Sequence, residues 1–102
     1  MAEKRKPTYD LDAFKAAAHR IRITVVATRT AAALGFGRTG IADITQTMQR
    51  TQFYKSMTSY EDHRIWQDVY HVPSEAGTLY MKFTADTVTE FVLLSFKEID
   101  NG

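Results

Sequence analysis

The chain has 102 residues, of which 44% are hydrophobic, 12% aromatic and 25% charged, and this profile is typical of a globular domain and excludes a disordered chain. It holds no cysteine, which excludes a disulfide framework and a thiolate metal site. The net charge is +1, but it is unevenly distributed: residues 1–51 carry +5 and residues 52–102 carry −4. No apolar run approaches the ~20 residues that span a bilayer, so we expect one cytosolic domain over residues 1–102 without a membrane partner.

The first predicted element is an amphipathic helix in "DLDAFKAAAHRI". Apolar side chains recur at helical spacing from Leu11 to Ile21, and Asp10 is the predicted N-cap. The other side of this helix would carry a basic ridge made of Lys15, His19 and Arg22. Such a ridge suits an acidic or phosphate-rich partner, although a basic helix face is as often simply solvated.

Two further helices are predicted before residue 52. The β-branched segment "IRITVVA" first predicts a strand or an extended connector. A short helix follows in "TRTAAALG", capped by Thr28 or Thr30, and a third runs from Thr39 to about Arg50. The string "GFGRTG" matches a dinucleotide fingerprint, but no strand precedes it, so its glycines are predicted to end one helix and begin the next.

After residue 52 the spacing of apolar residues changes from about 3.6 to 2, which indicates strands. Four strand-like runs lie at about 53–60, 65–72, 78–85 and 90–97, separated by "EDHR", "PSEAG" and "DTVT". Connections this short favour an antiparallel meander. We therefore predict an α+β fold with N-terminal helices packed on a C-terminal antiparallel β-sheet.

Alternation sorts the strand residues onto two faces of the sheet. It groups Phe53 with Lys55 in the first run and Leu93 with Lys97 in the last. One face is apolar and should pack on the helices. The other gathers polar side chains from every strand, namely Lys55, Gln67, Tyr80, Lys82 and Lys97. Such a face is either the ordinary wet side of an antiparallel sheet or a site for an anionic group such as phosphate, and alternation leaves both open.

The three histidines, at positions 19, 63 and 71, lack the spacing of metal ligands, so neither a metal nor another cofactor is predicted. His63 lies in the turn "EDHR" and is a candidate for proton transfer, although a turn histidine is more often incidental. Asp68 follows Gln67 but faces the other way, which predicts a structural hydrogen-bonding partner rather than a base.

The strings "FYKSMTSYEDHRIWQDVY", "GTLYMKFT" and "LLSFKE" resemble the MqsR toxins, a family of bacterial mRNA interferases. The resemblance runs from "EKRKP" through the whole chain and is most specific from 53 to 97. It implies a fold similar to the RelE and YoeB endoribonucleases and ribosome-independent cleavage of single-stranded mRNA at GC-containing triplets such as GCU. It also implies a cognate MqsA-like antitoxin that neutralises the toxin, with DNA contacted only through that antitoxin.

By motif, the resemblance implies four catalytic residues: Lys55 of "FYKSM", Gln67 of "WQDVY", Tyr80 of "LYMK" and Lys97 of "SFKE". Further candidates for RNA binding are Met57, His63, Lys82, Lys15 and Arg22. The chain departs from the family in carrying Thr8 where members often have a histidine. A non-catalytic RNA- or protein-binding module of the same fold is the alternative.

Without a metal, an RNase attacks the scissile phosphate with the adjacent 2′-hydroxyl and needs a base, an acid and a cation for the developing charge. No pair of histidines falls on the polar face, so we expect lysine and tyrosine to do this work. Lys55 and Lys97 would stabilise the charge, Tyr80 would transfer a proton and Gln67 would fix the geometry. One of the two lysines, with its pKa lowered by the other, could serve as the base.

Overall fold

The computed structural model describes residues 2–87 and 90–99. Its elements in chain order are β1 (Glu3–Lys4), α1 (Leu11–Ala16), β2 (Arg22–Ile23), α2 (Val25–Ala33), α3 (Arg38–Thr47), a 3₁₀ turn (Arg50–Gln52), β3 (Phe53–Thr58), β4 (Trp66–Ser74), β5 (Gly77–Thr87) and β6 (Glu90–Glu98). The strands form one six-stranded sheet in the order β1-β3-β4-β5-β6-β2. All neighbours are antiparallel except β2, which lies parallel to β6. The predicted α+β class and the meander from β3 to β6 are confirmed, and no helix in the described part of the chain is long and apolar enough to cross a membrane.

Helix α1 begins at the predicted cap but ends early. The Asp10 carboxylate accepts a hydrogen bond from the backbone N–H of Asp12 at 2.9 Å. The helix stops at Ala16 because the chain then turns to bring β2 beside β6. His19 and Arg22 therefore lie outside α1, and the predicted ridge along one helix face is wrong.

Helix α2 starts within the segment that was predicted to be extended. Only the two residues of β2 form a strand before Thr24 caps the helix, its hydroxyl accepting the Ala27 N–H at 3.1 Å. This cap outweighs the strand preference of the β-branched Val25 and Val26, which occupy the exposed first turn of α2. The predicted caps further along the chain, Thr28 or Thr30, are wrong because both residues lie inside the helix.

The first two glycines of "GFGRTG" end one helix and begin the next, as the sequence predicted. Gly35 has a φ of +91° just after α2, a conformation that favours glycine, and Gly37 is the N-cap of α3. Helix α3 then ends at Thr47, a few residues before the predicted end, and the 3₁₀ turn follows.

Buried residues of the three helices join those of one face of the sheet, which we call the covered face. Phe14 of α1 stacks on Phe83 of β5 with ring centroids 3.8 Å apart, and Phe36, after α2, meets Phe96 of β6 at 5.3 Å. Buried residues from helices and sheet join in one apolar cluster that includes Leu11, Phe14, Ala27, Ala31, Ile41, Tyr70, Val72, Leu79, Met81, Phe83, Leu93 and Phe96. Removing this apolar surface from water is the main contribution to the stability of the fold.

A register shift in β3 overrides simple alternation. Phe53 pairs with Tyr70 on the covered face, where their rings lie 5.4 Å apart, and the next paired residue of β3 is Lys55. The extra residue, Tyr54, stacks on His71 of β4 with ring centroids 4.2 Å apart. Tyr54 and Lys55 therefore share the face opposite the helices, and the predicted grouping of Phe53 with Lys55 is wrong because a bulge inserts one residue.

A second register shift lies between β5 and β6. Phe83 pairs with Leu93, whereas the preceding residue of β5, Lys82, pairs with Ser95, so Leu94 is the extra residue. Leu93 is fully buried in the apolar cluster. Its predicted place on the polar face with Lys97 is therefore wrong.

The N-terminal segment is tied to the sheet by Asp68. This fully buried carboxylate accepts the backbone N–H of Thr8 at 3.0 and 3.1 Å and that of Tyr9 at 2.9 Å. The Thr8 hydroxyl is also bonded to that of Ser56 at 2.8 Å. The structural role predicted for Asp68 is confirmed, and Thr8 lies on the covered side.

Candidate active site

The face opposite the helices, which we call the open face, collects the polar side chains of the central strands. By strand register and stacking it is formed by Tyr54, Lys55, Met57, Gln67, Val69, His71, Tyr80, Lys82, Ser95 and Lys97. The four predicted catalytic residues, together with Met57 and Lys82, are therefore all on this face. Because each of them stands on a paired strand, the backbone holds their relative positions.

Two lysines and a valine from neighbouring strands form one row across the open face. Lys55 of β3 and Lys82 of β5 flank Val69 of β4. Val69 is fully buried although no helix covers this face in the described part of the chain. The strand register places the two lysines on either side of it, where their aliphatic stems can cover it. The Nζ atom of Lys55 lies 3.0 Å from the Oε2 atom of Glu3 on β1. An incoming phosphate would replace this carboxylate as the partner of Lys55, or bind Lys55 alongside it.

Lys82 lies between the other two lysines of the cluster. Burial lowers the pKa of Lys82, and the positive charges of Lys97 and Lys55 lower it further. The sequence prediction named Lys55 or Lys97 as the lysine with a lowered pKa and did not include Lys82, where the structure places this effect. The same repulsion means that an anion placed among the three amino groups would be strongly favoured.

The next row places a tyrosine between a histidine and a lysine. Tyr80 pairs with His71 on one side and with Lys97 on the other. Its ring centroid lies 6.1 Å from that of His71 and 5.2 Å from the Lys97 Nζ atom. Burial raises the pKa of Tyr80, while the positive charge of Lys55 partly lowers it. The phenol is therefore protonated at neutral pH and can donate a proton or a hydrogen bond.

His71 is a functional candidate that the sequence prediction missed. Its imidazole is held against the Tyr54 ring at an interplanar angle of 21°. Burial lowers the pKa of His71, so the imidazole is neutral and able to accept a proton at neutral pH. Alternation from Gln67 through Val69 reaches His71 and could have found it. No pattern in the sequence predicts the bulge that places Tyr54 against His71.

Three predicted RNA-binding residues do not join this cluster. His63 is exposed in the β3–β4 loop, next to the ion pair between Arg64 and Asp62. Lys15 lines a separate cavity of about 450 Å³ on the helix side of the sheet. Arg22 of β2 forms an ion pair with Asp86 at 2.6 Å. Their contact with RNA stays a prediction, and it would concern phosphates away from the open face.

The open face presents amino, phenol, amide and imidazole groups, and within residues 2–87 and 90–99 no three histidine, aspartate or glutamate side chains gather as metal ligands would. Fold and site together define a small α+β protein with a cationic sheet face that also carries phenol and imidazole groups, a combination that suits a phosphodiester.

Comparison with known proteins agrees with this class. Residues 6–98 match the family described as motility quorum-sensing regulator, toxin of MqsA. The chain is also 38% identical over 98 residues to the mRNA interferase toxin MqsR of Escherichia coli strain K12, which covers 94% of this chain and 98% of that protein. The chain belongs to the MqsR toxin family.

Proposed function

We propose that this protein is a toxin endoribonuclease that cleaves single-stranded mRNA without the ribosome and without a metal ion, at GC-containing triplets, and so inhibits translation. An MqsA-like antitoxin neutralises it. The observation that carries the proposal is the convergence of three lysines on an exposed sheet face around Tyr80 and His71. The printed name of the Escherichia coli relative, an mRNA interferase toxin, supports the same activity.

The first chemical step is attack of a 2′-hydroxyl on the adjacent phosphorus. The neutral imidazole of His71 takes the hydroxyl proton as the oxygen–phosphorus bond forms. Negative charge then builds on the non-bridging oxygens of the phosphorane. Lys55, Lys82 and Lys97 surround this position and stabilise that charge, and they need little reorganisation because the strands hold them in place.

The second step breaks the bond between phosphorus and the 5′-oxygen of the next nucleotide. Tyr80 gives its proton to that oxygen, and the products are a 2′,3′-cyclic phosphate and a 5′-hydroxyl. The positive charge of Lys55, which partly lowers the pKa of Tyr80, stabilises the phenolate that remains. Gln67, opposite Met57 on the neighbouring row, hydrogen-bonds the ribose or a phosphate oxygen and fixes the in-line geometry.

The test uses purified protein, a long RNA of mixed sequence and no ribosomes, with cut ends mapped by primer extension in the presence of EDTA. The variant is Lys55→Ala, and the matched control is Arg29→Ala, which removes the same charge from the exposed surface of α2. Discrete cuts at GC-containing triplets, lost in Lys55→Ala and kept in the control, are the expected result. An equimolar amount of the antitoxin should suppress them.

The alternative is a binding module that holds RNA or a protein without cutting. It predicts no cuts from folded wild-type protein, while RNA binding measured by fluorescence anisotropy still depends on the lysines. Cuts by wild type that persist in Lys55→Ala at the full rate would instead contradict the placement of the site on the open face.

A further inference from the structure

A cavity of about 400 Å³ adjoins the lysine cluster and is not used by the mechanism above. Its apolar wall comes from Met57, Ile65 and Leu94. It shares Gln67 and Lys82 with the catalytic cluster, so its inner end lies next to the proposed phosphate position. A group that occupies it while a phosphate sits on the lysines must belong to the same or the adjacent nucleotide.

Residues of the β3–β4 loop also line this cavity. Tyr60 lines it with 84% of its surface exposed, the largest value among the exposed large hydrophobic residues of the described chain. Its neighbour Glu61, also exposed, lines the same cavity. An aromatic ring left free beside an apolar wall offers a stacking surface for an unpaired base, and single-stranded RNA is usually read in this way.

We propose that this cavity is a nucleobase subsite for the nucleotide next to the scissile phosphate, with Tyr60 as the stacking platform and Glu61 as the residue that selects guanine. The inference rests on the proposed function and deepens it by naming what reads the sequence. A carboxylate presents two acceptor oxygens and no donor. The Watson–Crick edge of guanine presents two adjacent N–H donors, whereas that of uracil places its single N–H between two carbonyl oxygens, which a carboxylate repels.

The first test measures selectivity on a pool of random-sequence single-stranded RNA, with the cut ends read by sequencing. Wild type should show a guanine preference at one position beside the cut. Glu61→Gln should reduce that preference about tenfold or more, the scale of one bidentate base contact. The matched control is Glu75→Gln, in the exposed turn after β4. An unchanged base profile in Glu61→Gln would overturn the assignment of guanine to Glu61.

The second test measures binding of a 2′-O-methyl RNA pool, which cannot be cleaved because its 2′-oxygens are blocked. Tyr60→Ala should weaken binding about five- to 150-fold, as expected for one lost base stack, and Tyr60→Phe should retain it. Equal affinities of wild type and Tyr60→Ala would overturn the subsite. Because this measurement needs no catalysis, Tyr60-dependent binding by a protein that never cuts would keep the subsite and refute the proposed activity.

Discussion

The two faces of one sheet divide the tasks of this protein, and β5 shows the division residue by residue. Phe83 faces the helices, is fully buried and stacks on Phe14 at 3.8 Å. The residue before it, Lys82, faces the other way, where burial and two neighbouring lysines lower its pKa. The covered face brings groups together that attract one another. On the open face three lysines repel one another, and the Glu3 carboxylate partly offsets this repulsion at Lys55.

This difference has an energetic consequence. Like charges held close together destabilise a folded chain, so the open face reduces the stability that the covered face provides. Substitutions on the covered face should therefore change the free energy of unfolding, whereas those on the open face should change catalysis and leave stability equal or higher. Each prediction below tests that division.

The largest effect is expected for His71→Ala on the open face. Loss of a general base typically lowers the rate about 10²- to 10⁴-fold, here without loss of the fold. Because burial lowers the pKa of His71, wild-type kcat/KM should rise with pH along a limb below pH 6.5 and be flat near pH 7. His19→Ala, at an exposed histidine that follows α1, is the matched control and should keep the wild-type profile. A rising limb at alkaline pH would instead assign the base to Lys82, whose pKa is lowered by burial and by the charges of Lys97 and Lys55.

The next effect comes from a pair of neighbours on β5. Phe83→Ala should cost about 3–5 kcal/mol of unfolding free energy in urea denaturation, because it leaves a cavity in a closely packed cluster. Lys82→Met keeps the stem that covers Val69 but removes the charge. It should leave stability equal or raised and lower the cleavage rate about 10²- to 10³-fold. If Lys82→Met unfolds the protein, the division between the faces is wrong.

Tyr80→Phe tests proton donation alone, because it removes only a hydroxyl. We expect the cleavage rate to fall about 10²- to 10³-fold, the usual cost of one preorganised donor in a transition state. Single-turnover kinetics at saturating protein will separate this loss from a change in RNA affinity, which should stay near that of wild type. A normal rate would refute the role of Tyr80 as the acid.

Asp68→Asn should have a smaller effect, confined to stability. In this variant an amide NH2 group, which cannot accept a hydrogen bond, would replace one of the carboxylate oxygens that now accept the backbone N–H groups. Hydrogen bonds to a charged group contribute about 1.5–3 kcal/mol to stability. Hydrogen exchange should report faster opening of the Thr8 and Tyr9 amides. Asp43→Asn, exposed on α3, is the control. Unchanged exchange at these amides would show that Asp68 does not anchor the N-terminal segment.

Local patterns predicted most of this fold because helix caps, short connectors and alternation act over a few residues. They failed where distant pairing decides the structure. The two residues of β2 become a strand only because β6 lies alongside. The bulge at Tyr54 exchanges the faces of Phe53 and Tyr54, and nothing in the string "FYKS" signals it.

The candidate site was predictable to the extent that alternation is regular. Lys55, Gln67, Tyr80 and Lys97 come from four strands and all lie on the open face, as alternation within each strand had indicated. The lowered pKa of Lys82 was not predictable, since it depends on burial and on the exact register of three strands. The cavity lined by Tyr60 was not predictable either, because residues of the β3–β4 loop form part of its lining.

The smallest effect is expected for Tyr70→Phe, the covered-face counterpart of Tyr80→Phe. The Tyr70 hydroxyl is buried and, within the described residues, has no hydrogen-bond partner. Burial, with a further contribution from the Asp68 charge, raises the pKa of Tyr70 to about 12. Removing a buried, unsatisfied hydroxyl should raise stability by up to about 1 kcal/mol and leave cleavage unchanged.

The same hydroxyl makes stability depend on alkaline pH. Between about pH 10, where tyrosine ionises in the unfolded chain, and about pH 12, the folded state keeps a proton that the unfolded state has lost, so wild-type stability falls as the pH rises. Tyr70→Phe should reduce that fall in a comparison of denaturation midpoints at pH 8 and 11, while the raised pKa of Tyr80 preserves part of it. If Tyr70→Phe instead slows cleavage as Tyr80→Phe does, the hydroxyls on the two faces are coupled through the sheet, and the separation of stability from catalysis fails at β4.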